Sequence, residues 1–189
     1  MSALMEAPVT GDRGVNHPAP FETAPSAFSL RRLHAERLIE AHLPVLRRMD
    51  GNPRLMATLG GVRSAAESVA WLQRNLAHWV DYGFGIWVLR DSATGRVAGR
   101  AGLRHLRIDD AAEVELSFAL VPEFWGSGLA TDAARACVTI GREWLGLSSI
   151  VALTAPDHVA SQRVLWKAAF VPDREVTHAG LPHLLFRTD

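Results

Sequence analysis

The stretch EVELSFALVPEFWGSGLATDAARA, residues 113–136, decides how this chain folds. An apolar side chain stands at every second position from Val114 to Leu120, which is the period of a β-strand with one buried face. Pro122 ends the strand, because proline has no N–H to donate to a neighbouring strand. A glycine-bearing turn then leads directly into a sequence of helical composition. The stretch therefore predicts a strand, a tight turn and a helix N-terminus in immediate succession.

A turn of this composition is suited to binding an anion. The first turn of a helix has unpaired N–H groups and the positive end of the helix dipole, and glycine lets a phosphate approach the main chain closely. The spacing differs from the two common nucleotide motifs. No Lys-Ser or Lys-Thr pair follows Gly128, and Thr131 stands where G-x-G-x-x-G has its last glycine. A helix that merely begins at a glycine-rich turn explains the spacing equally well.

The composition is that of one ordinary globular domain. The chain has 189 residues, of which 48% are hydrophobic and 21% charged, so it is long enough to bury a substantial core. Twenty Lys and Arg balance twenty Asp and Glu, which argues against nucleic acid as a partner. One cysteine, Cys137, excludes an internal disulfide framework and any multi-cysteine metal site, as in a protein of the reducing cytoplasm.

The beginning of the chain differs from the remainder. Residues 1–27 contain four prolines among Ala, Ser, Gly and Thr without a sustained helical or strand period, and we expect a flexible extension there. The sequence has neither the charged and apolar regions of a signal peptide nor an apolar run long enough to cross a bilayer. We therefore expect a soluble cytoplasmic protein that makes no use of a membrane.

The remaining pattern predicts one α/β (α+β) domain over residues 28–189 with a mixed sheet. Ser64 and Glu67 have the spacing of a capping box, and Gly83 is placed to end the helix that follows. The predicted order is a strand over about 29–38, helices over about 41–49 and 65–82, the hairpin FGIWVLR and RVAGRAGLRHL, the strand of 113–121, a helix over 128–145, the strand SIVALTA, a helix over about 158–169, and the hairpin VPDREVTH and LPHLLFR.

Two segments resemble one enzyme family. The loop after the strand is similar to the acyl-CoA pyrophosphate loop of the GNAT N-acetyltransferases, whose motif is Gln or Arg, two residues, Gly, one residue, then Gly or Ala; Trp125, Gly128 and Ala130 occupy its defined positions. Trp125 departs from the polar first residue, but the branch of ribosomal-protein N-terminal acetyltransferases, the RimJ/RimL type, often has W-G-x-G-x-A-T here. Downstream, APDHVASQRVLWKAAF, residues 155–170, resembles the family's P-x-N-x-x-S segment ending in K-x-G-F.

The resemblance implies a fold and an activity. The fold is a mixed, mostly antiparallel sheet of about seven strands flanked by about four helices, splayed between the fourth and fifth strands. The activity is transfer of an acetyl group from acetyl-CoA to a primary amine, on a protein N-terminus or a small molecule, by direct attack in a ternary complex. It implies acyl-CoA and an amine as partners, no metal, and a monomer or homodimer.

The resemblance also implies the acyl-CoA contacts. In this family the pantetheine arm pairs with the exposed edge of the fourth strand inside the splay, and the loop holds the pyrophosphate. Carried over by position, the contacts are Phe118, Leu120 and Val121 on the strand, Trp125, Gly126, Ser127, Gly128, Leu129, Ala130 and Thr131 in the loop and helix start, and His158, Ser161 and Lys167 downstream.

An amine must lose a proton before it attacks a thioester, so a base is required. Glu115 and Glu113 lie on the same face of the predicted strand, and glutamates of this strand often serve as the base in the family. Two carboxylates on one face favour a raised pKa for one of them. Charged residues on a strand face are otherwise simply solvated. Ser161 is the expected contact of the leaving thiolate, although a serine there also suits a helix cap.

Three further features leave alternatives open. The family's usual tyrosine is absent, since Leu165 holds its position, and His158 replaces the usual asparagine. These departures favour a second hypothesis, a non-catalytic GNAT-fold protein that binds or senses acyl-CoA. His178 and His183 flank the last turn, where the family's hairpin borders the acceptor site, and we expect either substrate contact or plain exposure.

Overall fold

The structure, a computed structural model, describes residues 23–188. Within them eight strands form one sheet in the order β1-β2-β3-β4-β5-β6-β8-β7. The strands are β1 (Ala27–Ser29), β2 (Leu33–Arg37), β3 (Ile86–Asp91), β4 (Val97–Ile108), β5 (Ala111–Leu120), β6 (Ile150–Thr154), β7 (Val171–His178) and β8 (Leu181–Thr188). The α-helices are α1 (Leu43–Asp50), α2 (Pro53–Met56), α3 (Ala65–Tyr82), α4 (Leu129–Glu143) and α5 (Val159–Lys167).

The sheet is antiparallel except where β5 meets β6. These two strands run parallel and pair at one position, Glu115 opposite Val151, beyond which no further register is formed. Parallel strands normally share evenly spaced hydrogen bonds, so a single paired position means that the strands diverge. They are the fourth and fifth strands of the predicted order, and the predicted mixed sheet with its splay is confirmed.

The structure adds two short elements to the prediction. The expected strand 29–38 is a hairpin of β1 and β2, because the chain turns where the Leu30 N–H donates to the Leu33 carbonyl at 2.7 Å. After α1 the Asn52 side chain accepts from two N–H groups of the next turn and so caps the four-residue α2. The sheet therefore has eight strands and the domain five α-helices, rather than about seven and four.

The last residues of the predicted extension are packed. The Ala24 N–H donates to the Gly83 carbonyl at 3.0 Å, and the Pro25 carbonyl accepts from the Trp87 indole at 3.0 Å. Ala24 is buried, so residues 24 and 25 of the expected extension pack against the domain. Residues 1–22, which make up most of that extension, lie outside the described residues.

The local signals of α3 act as predicted. Ser64 Oγ accepts from the Glu67 N–H at 3.2 Å while Glu67 Oε2 accepts from the Ser64 N–H at 2.7 Å, which completes the capping box. Gly83 ends the helix at φ +72°, a left-handed conformation that glycine adopts without strain. No helix in the range 23–188 is long and apolar enough to cross a membrane.

Both faces of β5 are covered near its end, which places the site. Leu116 and Leu120 belong to the main core beneath α4 and α5, together with the buried Cys137. On the other face, Ala119 packs in a small cluster with residues of α1 and α2, namely Met49, Leu55 and Met56. The end of β5 therefore lies between α2 on one side and α4 and α5 on the other.

Candidate functional site

A cavity of about 550 Å³ lies at the end of β5. Its walls come from α2 and the residues after it, from β5, from the loop before α4, from the first turn of α4 and from the length of α5. It brings together eleven of the predicted acyl-CoA contacts, which the sequence scatters over fifty residues: Phe118, Leu120, Trp125, Gly126, Gly128, Leu129, Ala130, Thr131, His158, Ser161 and Lys167. Val121 and Ser127, also predicted, do not line it.

The loop before α4 has the conformation that its glycines allow. Gly126 and Gly128 have φ of +69° and +84°, and Gly128 is the N-cap of α4. Since glycine has no side chain, it leaves the first N–H groups of the helix without a side-chain cap. The next three residues, 129–131, line the cavity. The cavity thus receives the positive end of a fifteen-residue helix.

Hydrogen bonds from three directions hold this loop. The Ser127 hydroxyl donates to the Phe124 carbonyl at 2.5 Å, and the Trp125 indole N–H donates to the Leu120 carbonyl at 2.5 Å. From the connection between β1 and β2, Arg32 donates to the Ser127 carbonyl at 2.8 Å. Ser127 therefore positions the loop instead of facing the cavity.

The edge of β5 differs from the prediction at Val121. The Val121 N–H donates to the Ala98 carbonyl at 2.9 Å and so faces β4, away from the side on which the resemblance places acyl-CoA. Backbone groups alternate in direction along an antiparallel strand. Phe118 and Leu120, opposite Ala101 and Gly99, are therefore the residues whose backbone N–H groups point away from β4 and toward the splay.

Ser161 and His158 begin α5 at the cavity wall. Ser161 is 8% exposed, and its hydroxyl forms no hydrogen bond to any residue of 23–188. His158 is the N-cap residue, but the helix has no side-chain cap, so the alternative capping role of Ser161 is excluded. Burial lowers the pKa of His158, partly opposed by the charge of Asp157, which favours the neutral ring with one donor and one acceptor.

The one tyrosine of the sequence, Tyr82, lies away from the cavity. Tyr82 lies at the end of α3, is 53% exposed and packs against the ring of His105 at 4.2 Å between ring centroids. It does not line the cavity. The described cavity walls therefore contain no tyrosine hydroxyl, and their side-chain hydroxyls are those of Thr58, Thr131 and Ser161.

The two predicted glutamates have separate arginine partners. Glu115 is 6% exposed, so it is not a solvated surface residue, and its Oε2 accepts from Arg104 Nε at 2.7 Å. Glu113 uses both oxygens, accepting from Arg187 at 2.8 and 3.2 Å. Each carboxylate therefore has an arginine beside it, a partner that the pattern of the strand alone does not indicate. Neither glutamate lines the cavity, although Glu115 is the one nearer to it along β5.

The structure does not bring the two predicted substrate histidines into the cavity. His178 and His183 lie at the end of the hairpin of β7 and β8, with ring centroids 6.1 Å apart. His183 Nδ1 donates to the Leu181 carbonyl at 3.0 Å. Residues 23–188 contain no cluster of three or more His, Cys, Asp or Glu arranged to hold a metal ion.

Sequence reasoning missed the residues of α2 and one arginine of α5. Arg54, Leu55, Thr58 and Leu59 form the wall opposite α5, and Arg163 joins Lys167 on α5. The guanidinium of Arg54 lies 5.6 Å from the centre of the Trp125 ring. No sequence pattern connects α2 to the loop, so this wall was not predictable from a motif. All charged residues that line the cavity are basic, which matches a ligand with phosphate groups.

The sequence profile of the acetyltransferase (GNAT) domain matches residues 32–171, most of the described chain. The chain belongs to the GNAT acetyltransferase family. Members of this family use acyl-CoA as the acyl donor, and the cavity contains the elements that such a substrate requires. A loop rich in left-handed glycine conformations, a helix N-terminus and a splayed strand edge all meet there.

Three similar proteins illustrate the family. The FsC-acetyl coenzyme A-N(2)-transacetylase of Aspergillus fumigatus is 30% identical over 145 residues, covering 71% of this chain and 60% of that enzyme. An acetyltransferase of Agrobacterium tumefaciens has the same fold, with a TM-score of 0.78, 23% identity and coverage of 92% and 99%. RimL, a ribosomal α-N-protein acetyltransferase solved with coenzyme A, gives a TM-score of 0.70 at 16% identity, covering 88% and 97%. Among the three, the fungal enzyme is longer than the matched segment, and the two structures establish the fold.

Proposed function

We propose that this GNAT protein is a cytoplasmic acetyl-CoA-dependent N-acetyltransferase that acts on a primary amine by direct attack in a ternary complex. The observation that supports this best is the meeting of three groups in one cavity. They are the uncapped N-terminus of α4, the Leu120 N–H that points away from β4, and the Ser161 hydroxyl, which has no hydrogen-bond partner among residues 23–188. Residues 28–189 form the catalytic unit, to which the packed residues from Ala24 onward contribute.

The phosphate groups of acetyl-CoA are assigned to the α4 side of the cavity. The N–H groups of residues 129–131 bind the pyrophosphate at the positive end of the helix dipole, and the two glycines let it approach. Arg54, Arg163 and Lys167 supply positive charge around it. The pantetheine arm then extends along β5, where the backbone of Phe118 and Leu120 faces the splay.

The transfer requires a base for the amine proton and hydrogen-bond donors for the negative charges that develop on the carbonyl oxygen and on the sulfur. The amine nitrogen attacks the thioester carbonyl carbon, the C–S bond breaks, and the Leu120 N–H stabilises the negative charge on the carbonyl oxygen. Glu115 accepts the amine proton through a water, because Arg104 occupies only its Oε2. Ser161 Oγ donates a hydrogen bond to the departing thiolate. Glu113 has both oxygens on Arg187 and is assigned a structural role.

The acceptor is an amine of one of two kinds. RimL acts on a protein α-amine, and W-G-S-G-L-A-T in this chain, residues 125–131, matches the loop of that branch. The fungal transacetylase is named for an N(2) amine of a small molecule. We favour a RimJ/RimL-like enzyme acting on a protein N-terminus, as a monomer or homodimer, with no part for nucleic acid or metal.

A thiol-release assay separates this proposal from its alternative. Because His158 replaces the usual asparagine and no tyrosine lines the cavity, a non-catalytic acyl-CoA-binding protein is the second candidate. Purified protein is mixed with acetyl-CoA and a panel of peptides and small amines, and free CoA thiol is followed. The enzyme proposal predicts acceptor-dependent thiol release. Tight acetyl-CoA binding without release on any acceptor supports the sensor instead.

A further inference from the structure

The wall of the cavity opposite α5 is a short segment whose two ends are fastened together. Residues 51–62 contain α2 and supply Arg54, Leu55 and Leu59 to the cavity. On either side of the segment, the Arg63 N–H donates to the Asp50 carbonyl at 3.0 Å, and the Arg63 guanidinium donates to Asp50 Oδ1 at 3.0 Å. The segment is thus a loop closed at its base by two hydrogen bonds.

The base of this loop is also fastened to the sheet. Arg100 on β4 donates to the same Asp50 Oδ1 at 3.0 Å, and its guanidinium stacks over Trp71 of α3 at 4.1 Å. Arg100 stands opposite Ala119, which lines the cavity. One carboxylate oxygen therefore connects the loop base with β4, the strand that pairs with the cavity-lining end of β5.

These charges are deeply buried. The Asp50 side chain is 0% exposed and Arg100 is 5% exposed, while Asp50 Oδ2 is buried without a hydrogen-bond partner. Burial lowers the pKa of Arg100 to about 10, so it remains a cation at neutral pH. Well-packed apolar side chains of similar volume in place of the buried ion pair would give the folded protein equal or greater stability. A buried ion cluster with an unsatisfied oxygen is better explained by the geometry that it enforces.

Apart from this base, α2 is held by one small apolar cluster. α2 has four residues, and its apolar anchors, Leu55 and Met56, belong to a cluster of four buried residues. A helix this short is not stable by itself, so its position depends on the fastened base. Movement of α2 would carry Arg54 away from Trp125 and open the side of the cavity.

We propose that Asp50 is a positioning residue that, through Arg63 and Arg100, holds α2 in place as a wall of the acyl-CoA cavity. The proposal rests on the function proposed above, because it takes acyl-CoA as the ligand of that cavity. It assigns no contact with the substrate to Asp50, which is too buried to reach one. It predicts that loosening the base weakens acetyl-CoA binding while the domain stays folded.

The test compares Asp50→Asn with Glu143→Gln, which removes one negative charge from an exposed site on α4. Acetyl-CoA affinity is measured by calorimetry, and trypsin cleavage after Arg54 is compared with cleavage after Arg163 on α5. The proposal predicts a Kd raised by about tenfold in Asp50→Asn and selectively faster cleavage after Arg54. Both values should remain unchanged in Glu143→Gln.

An unchanged Kd and an unchanged ratio of the two cleavage rates in folded Asp50→Asn would overturn the proposal. A uniform rise at both sites would also overturn it, since that indicates global destabilisation. If Asp50→Asn does not fold, Arg63→Gln decides, because it removes the side-chain ion pair at the loop base and leaves the buried pair of Asp50 and Arg100 intact. Neither acetyl-CoA affinity nor the cleavage ratio involves an acceptor amine. If the wild-type protein acetylates no amine, the proposed function is refuted, while these two measurements still test the role of Asp50.

Discussion

Arg32 donates a 2.8 Å hydrogen bond to the carbonyl of Ser127, ninety-five residues further along the chain. The C=O and N–H of one trans peptide point in opposite directions, so this bond fixes the direction of the Gly128 N–H as well. Gly128 lines the cavity and is the N-cap of α4. The first strand connection of the domain thereby sets the orientation of the loop assigned to the pyrophosphate.

Replacement of Arg32 by glutamine should weaken acetyl-CoA binding. Loss of the bond frees the Ser127 peptide to rotate and removes a positive charge from the loop. We expect the Kd for acetyl-CoA, measured by calorimetry, to rise about 3- to 10-fold, which corresponds to the free energy of one ordinary hydrogen bond. Arg31→Gln is the matched control, because Arg31 is exposed and adjacent. Equal affinities in the two variants would refute the role of Arg32.

Ser161→Ala should slow turnover without affecting cofactor affinity. The Ser161 hydroxyl has no hydrogen-bond partner within residues 23–188, so its removal leaves no protein group unsatisfied. If it donates to the departing thiolate, kcat should fall about 100-fold, while the Kd for acetyl-CoA and the Tm stay constant. A variant with full kcat would show that the leaving group needs no help from this residue.

Substitution of Glu115 should impair catalysis, whereas substitution of Glu113 should impair stability. Glu115→Gln removes the proposed base, so we expect kcat to fall about 100-fold with acetyl-CoA binding retained. Glu113→Gln disrupts the pair of hydrogen bonds to Arg187 that joins β5 to β8, and we expect a loss of about 1–3 kcal/mol in the free energy of unfolding with kcat nearly unchanged. Urea titration and steady-state kinetics on both proteins measure these effects. The reverse pattern would exchange the two assignments.

Stability should fall as the pH drops below the ordinary histidine value. Burial lowers the pKa of His78 and His105 from 6.5, so the unfolded chain takes up protons at a higher pH than the folded one. The contribution of these histidines is complete above pH 6.5 and declines below it. His78 Nδ1 donates to the Phe84 carbonyl, so Nε2 of the neutral His78 ring accepts a hydrogen bond from the main-chain N–H of His105. Protonation of His78 removes that acceptor.

The corresponding measurement is Tm against pH for wild type and His78→Gln. Glutamine has a donor and an acceptor but does not titrate in this range, so the decline in Tm between about pH 7.5 and 5.5 should become shallower. His34→Gln, at an exposed site on β2, is the control. Identical pH profiles for wild type and His78→Gln would show that His78 does not contribute to the decline.

Features set by neighbouring residues could be predicted from the sequence. The Ser64 and Glu67 capping box, the alternation from Val114 to Leu120 and the glycine turn before α4 each depend on contacts within a few positions. The sequence does not predict the hairpin of β1 and β2, since Leu30 and its neighbours have no turn signature of Gly, Pro or Asn.

Sequence reasoning missed the long-range hydrogen bonds and ion pairs around the site, and the cavity wall that contains α2. Arg32 reaches Ser127, and Asp50 reaches Arg100, across separations at which no spacing rule applies. Glu113 and Glu115 were identified on the correct face, but their arginine partners come from other strands. The type of a residue and the strand face that it occupies follow from the local sequence. The ion-pair partners of its side chain depend on which distant residues the fold places beside it.

Transfer of an isotopically labelled acetyl group tests the central claim most directly. Wild-type protein is incubated with deuterated acetyl-CoA and a panel of peptides with free N-termini and small primary amines, and the products are read by mass spectrometry. The proposed enzyme predicts one labelled acetyl group on the nitrogen of at least one acceptor, in equal amount to the CoA released. Saturable acetyl-CoA binding without a labelled product on any amine would contradict it.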